Sequence, residues 1–126
     1  MSEHRVIRTY LGGAAVAKRR ILKFGSADGA VVQASATADL LIGVSTELDS
    51  DSGAPRDVVM FGETDVEYGG AVPRGSFITA DANGKAVVCS PAAGAKGQSI
   101  GKALFTAADG DIGPAFIFPS QVTTPV

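Results

Sequence analysis

The sequence predicts an all-β fold, a small sandwich or barrel built from two pseudo-repeated β units. Three observations lead there. Asp28-Gly29, Asn83-Gly84 and Asp109-Gly110 each stand beside short apolar runs, and such pairs tolerate the positive φ that tight hairpins demand. Sixteen glycines in 126 residues, with many Ala, Ser and Thr, favour frequent turns and short elements over long helices. The chain also repeats itself. Gly12-Gly13-Ala14 returns as Gly69-Gly70-Ala71, Asp28-Gly29 as Asn83-Gly84, Ala30-Val31-Val32 as Ala86-Val87-Val88, and Leu41-Ile42-Gly43 as Ser99-Ile100-Gly101, at offsets of 55 to 58 residues.

The length suits a single domain with its own core. It divides into an arm (1–11), unit one (12–62), a connector (63–68), unit two (69–119) and a tail (120–126). The arm alternates weakly and is expected to add a strand to something, or to stay loose until a partner orders it. Residues 12–20 read as a loop, because their counterpart in unit two holds Pro73 and Gly75. Arg20 to Phe24 is the first clear strand, turning at Asp28-Gly29 into Ala30 to Ala34. Ala38 to Leu48 follows, with Gly43 at a bulge or a place of close packing. Asp49 to Asp57 is an exposed acidic loop, and Val58 to Phe61 a short buried strand.

In the connector, Glu63, Asp65 and Glu67 alternate with Thr64, Val66 and Tyr68, the pattern of a strand with one wet face. Unit two repeats the plan. Ser76 to Ala80 turns at Asn83-Gly84 into Lys85 to Cys89; a Pro/Gly-rich loop leads to Ser99 to Thr106, and Asp109-Gly110 to Ala115 to Phe118. The tail is expected to be extended.

Net charge is −2, with no pull towards nucleic acid, but the signs are segregated. Arg5, Arg8, Lys18, Arg19, Arg20 and Lys23 all precede Phe24, whereas nine of the thirteen acids lie between Asp28 and Glu67. Such segregation suits contact between neighbouring copies or docking on a charged protein surface. The longest uncharged run, 112–126, carries three prolines and is no membrane span. The N-terminus has no apolar signal core. With no Trp and two Tyr, the chain is poor material for an aromatic ligand platform.

No stretch reads as catalytic, and no cofactor or metal is expected. Gly97 to Ala103 imitates a phosphate loop, but its glycines are one residue too close and Ala103 replaces the magnesium-binding hydroxyl. Asp49-Ser50-Asp51-Ser52-Gly53 imitates the start of a calcium loop, but its glycine comes early and Met60 takes the place of the closing Glu. His4, the sole histidine, and Cys89, the sole cysteine, have no third group to orient them as a nucleophile pair. Cys89 reads as a small buried hydrophobe. Lys85, just after the Asn83-Gly84 turn, gives a second reading: a lipoyl- or biotinyl-like carrier, or other β-barrel binding module, displaying a lysine on a hairpin. The residues before it lack the pattern those carriers use.

The run Gly69 to Gly75 (Gly-Gly-Ala-Val-x-Arg-Gly), the turn Asp81 to Ala86, the Ala/Gly-rich loop Pro91 to Gly97, Ile100-Gly101-Lys102-Ala103-Leu104 and Ala107-Ala108-Asp109-Gly110 together resemble tailed-phage capsid cement (head decoration) proteins. Ile42-Gly43-Val44 and Val58 to Phe61 fit the same template in unit one, and the acidic loop departs from it. The resemblance implies a homotrimeric structural protein, made in the host cytoplasm. On the virion it would bind the outer surface of the expanded head and clamp neighbouring major capsid protein subunits. Capsid contacts are then expected at Arg5, Arg8, Tyr10, Lys18, Arg19, Arg20 and Lys23. Contacts between copies are expected at Asp49, Asp51, Phe118 and Val122.

Overall fold

The computed structural model describes residues 6–13, 17–36, 39–46, 53–91 and 93–123. Among these the fold is all-β, with no helix: β1 (Val6–Gly12), β2 (Ile21–Phe24), β3 (Ala30–Gln33), β4 (Leu41–Ser45), β5 (Pro55–Glu67), β6 (Phe77–Ala80), β7 (Ala86–Val88), β8 (Lys96–Ala103) and β9 (Ile112–Thr123). The hairpin turns fall where the sequence puts them, with Gly29, Gly84 and Gly110 all at positive φ.

The strands run in the order β1-β3-β2-β4-β5-β9-β8-β6-β7, and β1 also pairs with β5. The first five therefore close into a ring, which removes its open edges. The order is palindromic about the β5–β9 pair: β3-β2-β4-β5 mirrors β7-β6-β8-β9. The second set returns on itself through a parallel bridge between Tyr68 and Ala86, as the first does between Leu11 and Ala30.

The described part of the arm adds a strand, as one of its two readings had it: Val6 to Leu11 pairs antiparallel with β5 and closes the first ring. Backbone donors and acceptors that would otherwise need a partner find one within the chain. One expectation is corrected. The connector is not separate from Val58 to Phe61, since both belong to the 13-residue β5. Phe61 is the last β5 residue paired with β1, and Gly62 the first paired with β9. Gly62 has φ 111°, so the strand changes ring where a residue without Cβ permits it. The tail, expected to be extended, is strand through Thr123 and pairs with Lys96 to Ser99.

Gly43 meets both expectations made of it. The β2–β4 register shifts beside it, and a Cβ there would collide with the Val59 carbonyl oxygen and Val58. Gly101 does the same in the second ring against the Phe116 carbonyl.

The core forms two clusters. Leu22, Val31, Ile42 and Val58, with Tyr10 and Met60 against them, fill the first ring. The larger cluster joins Ile21, Leu41, Val44 and Val59 of the first ring to Val66, Tyr68, Ile78, Ile100 and Ile117 of the second. Each fully buried Ile, Leu or Val contributes about 1.5–3 kcal/mol, so the joint between rings is as much core as either interior. Tyr68 completes it: its hydroxyl donates to the Pro114 carbonyl at 3.0 Å and its ring meets Phe105 edge-on. Burial, with the Asp65 charge second, pushes that hydroxyl up to about 12.

The β6–β7 hairpin tip docks on the first ring. A Cβ on buried Gly84 would stand 3.2 Å from the carbonyl oxygens of Ile21 and Ala34, whereas one on Gly29 would meet nothing within 4 Å. Both glycines have φ near +80°, so Ala at either costs about 1–2 kcal/mol in backbone strain. Gly84→Ala is expected to cost about 1–3 kcal/mol more than Gly29→Ala by overpacking. Urea unfolding of the two variants checks this, with equal slopes and a lower midpoint for Gly84→Ala.

Candidate functional site

A clasp holds the two rings together at Glu67. Arg20, just before β2, donates from Nη2 to Glu67 Oε1 at 3.2 Å and from Nη1 to the Asn83 carbonyl at 2.9 Å. Lys85 Nζ lies 3.2 Å from Glu67 Oε2, and Gln33 Nε2 donates to the same Asn83 carbonyl at 2.7 Å. Asp81 caps the turn, accepting from the Asn83 and Lys85 backbone N–H groups through Oδ1. Burial pushes the Glu67 carboxyl up, but the Lys85 hydrogen bond and the Arg20 guanidinium outweigh it and hold it below its ordinary value.

The basic residues expected to form one contact group are therefore divided. Arg20 belongs to the clasp. Lys23 lies 3.5 Å from Asp39 and donates to Ser35 Oγ at 3.4 Å. Arg19, half-buried at φ 55°, sits in the turn that leads into β2 beside exposed Lys18. Arg8 is exposed on β1 with its guanidinium 5.8 Å from the Tyr10 ring centroid. Tyr10 itself is half-buried against the first-ring core, its hydroxyl donating to Met60 Sδ at 3.7 Å. Arg5, Asp49 and Asp51 lie outside the described residues, as do His4 and most of the imitation calcium loop.

Lys85 is not displayed at a hairpin tip: its ammonium is half-buried and paired with Glu67. That geometry does not suit a carrier lysine. Cys89 is half-buried rather than fully buried, its Sγ donating to the Gln98 carbonyl at 3.5 Å, and burial pushes the thiol up. A raised thiol is a poor nucleophile. Gly97 to Ala103 lies within β8 and forms no loop. Among the described residues, no three His, Cys, Asp or Glu side chains gather as a metal site.

What the structure does bring together is apolar surface. Phe118, expected to face a neighbouring copy, is one of four phenylalanines on the outward side of β5, β9 and β6. Phe61 meets Phe116 at 5.3 Å between ring centroids, Phe116 meets Phe118 at 5.6 Å, and Phe118 meets Phe77 at 6.3 Å. Lys102 lays its ammonium 4.9 Å from the Phe77 centroid. Val122, further along β9, is half-buried and pairs with Gly97. The sequence reading missed Phe61, Phe77, Phe116 and Lys102. Composition suggested too little aromatic material, yet four of six phenylalanines converge on one face. The available signal was Ala115-Phe116-Ile117-Phe118, which is apolar on both sides of a strand.

Contiguous exposed apolar surface of this kind marks a protein contact. A family model described as "phage cement protein" matches residues 1–115. No curated protein matches the chain. Among solved structures, the N base of head fiber gp8.5 from bacteriophage phi29 is similar at a TM-score of 0.64 and 21% identity, covering 90% of this chain and 94% of that one. The likeness establishes a shared fold.

The clasp gives a pH prediction. Above about 4.5, the ordinary glutamate value, Glu67 is charged in the folded and unfolded chain alike and the clasp contributes fully. As pH falls below that, the unfolded chain takes up the proton first, and the contribution is lost through the lower folded value. Glu67→Gln is expected to cost about 1 kcal/mol at neutral pH and to flatten the loss of stability on acidification. Urea midpoints measured from neutral pH to about pH 3 check both.

Proposed function

We propose, from the premise that this chain belongs to the phage cement protein family, that it decorates the outer surface of an expanded phage head and ties neighbouring major capsid protein subunits together. The family assigns it a capsid-associated structural role. The finer reading, a homotrimeric clamp without catalysis, made in the host cytoplasm and added to the head, is ours. The observation that carries it is the family match over residues 1–115 on a two-ring β body whose exposed features are apolar faces and separated charges.

A clamp needs stiffness and surface. Two rings joined through a shared core supply the first, because closed strands leave little edge to fray. Multivalency supplies strength: each copy binds modestly, and linking copies makes later contacts intramolecular. We assign capsid contact to Arg5, Arg8, Tyr10, Lys18, Arg19, Arg20 and Lys23. Arg20 and Lys23 contribute there only what their bonds to Glu67 and Asp39 leave. Asp49, Asp51 and Val122 stay assigned to contacts between copies.

Expanded heads stripped of the protein test the reading. Adding it back is expected to raise the temperature at which heads open, followed by light scattering and by density maps of heads with and without it. Heads that neither bind it nor gain heat resistance would refute the proposal. Reversing Arg8 and Lys18 to Glu should slow association roughly tenfold at low salt, with the difference closing at about 1 M salt where charges are screened.

A further inference from the structure

The two rings stack in one direction, and the stacking is unfinished at both ends. In the first ring, register places Ile7, Val59, Val44 and Ile21 in one row across β1, β5, β4 and β2. In the second, register places Glu63, Phe116, Lys102 and Phe77 in the matching row across β5, β9, β8 and β6. The offsets, 56 to 58 residues, are those of the sequence repeat. Yet the fates differ. Ile7, at the end of its row, is 42% exposed, but Val59, Val44 and Ile21 are 0% exposed, sealed in the cluster they share with the second ring, while Phe116 is 36% exposed. The second ring sits on the first ring's row, and among the described residues its own row is left open at Phe116 and Lys102.

The opposite surface shows the complementary difference. The second ring meets the first through Tyr68, Ala80 and the Asn83-Gly84 tip, and Tyr68 and Ala80 are 0% exposed. Their first-ring counterparts are Leu11, Phe24 and Asp28-Gly29. Leu11 and Phe24 are 55% and 56% exposed, and a Cβ on Gly29 would meet nothing within 4 Å. The chain thus carries one joint made between its own rings and, at its two ends, the unjoined halves of another.

We infer that the Phe77–Lys102–Phe116 row, widened by Phe61 and Phe118, seats the first ring of a second copy of this chain, which presents Leu11, Phe24 and the Asp28-Gly29 tip. The acid on that tip complements Lys102, the cation in the row. The contact is head-to-tail: each copy offers a seat at one end and a plug at the other. Such contacts close into rings when the rotation divides a full turn. The inference rests on the self-association proposed above and names its surface.

Two variants and their mixture provide the test. Phe116→Glu spoils the seat and leaves the plug; Phe24→Glu spoils the plug and leaves the seat. Both positions are exposed, and an unchanged far-ultraviolet circular dichroism spectrum with a cooperative melt would verify folding, since loss of assembly alone lowers the melting temperature. By light scattering coupled to size exclusion, each variant alone should fall from the assembled mass to that of one chain, about one third of a trimer. Mixed in equal amounts, they should form a species of two chains, because one copy keeps a sound seat and the other a sound plug. Either variant retaining the wild-type mass overturns the inference, and so does a mixture that stays monomeric. A wild-type chain that is monomeric at every concentration overturns it as well. Binding of wild-type protein to stripped heads is scored separately: its loss would sink the capsid reading and leave the seat-and-plug result standing.

Discussion

Everything in this fold depends on β5 serving two rings. Its first half completes one ring against β1 and β4, and its second half opens the other against β9. A strand shared in this way admits no flexible linker, so the rings cannot swing as independent modules. The constraint falls on Gly62, where the pairing changes partners at a φ that a side chain would strain. It also fixes which surfaces meet, since Val59 and Val66, on either side of that glycine, enter the same core. Without the shared strand, the joint would have to be held by side chains alone.

The two rings are stiffened by matching devices. Each has a bulge glycine, Gly43 and Gly101, that lets the neighbouring strand's carbonyl approach more closely than a Cβ would allow. Each closes through a parallel bridge near a Gly-Gly pair. The clasp has no such twin. Arg20 corresponds to Ser76, so the polar fastening around Glu67 belongs to the joint inside the chain. A contact that never comes apart can use a half-buried ion cluster, whose desolvation is met once at folding. A contact formed between separate molecules is better served by apolar rings and a charge that remains wet.

Local chemistry was legible in the sequence, and long-range pairing was not. The Asp-Gly and Asn-Gly hairpins, the repeat, the bulge at Gly43 and the wet face at Glu63 and Asp65 all follow from residues within a few positions of one another, whereas Glu67, expected on that face, is half-buried in the clasp. The arm illustrates what does not follow. Val6 to Leu11 alternates too weakly to declare a strand, and its partner lies some fifty residues away. Arg20 is equally opaque: nothing near it in sequence points to Glu67, 47 positions on. The phenylalanine face was hidden for a different reason. Strand period shows that Phe116 and Phe118 share a side, but with Ala115 and Ile117 apolar as well, it does not show which side is the core. Only the packing of the other ring decides that.

That ambiguity is itself informative about function. A strand buried on both faces within its own chain needs no explanation beyond the core, and a strand with one polar face is finished when its sheet is. β9 is neither: it has the composition of a doubly buried strand and the environment of a singly buried one. Its counterpart, the first half of β5, is apolar on both sides at Val58 and Val59 and buried on both. Phe116 stands in the second ring where Val59 stands in the first, and the seat proposed above would give its row the cover that Val59 has within the chain. Lys102 stands in place of buried Val44 and is exposed. A row sealed at folding can be wholly aliphatic, whereas one exposed until assembly needs a charge to keep it from clumping indiscriminately.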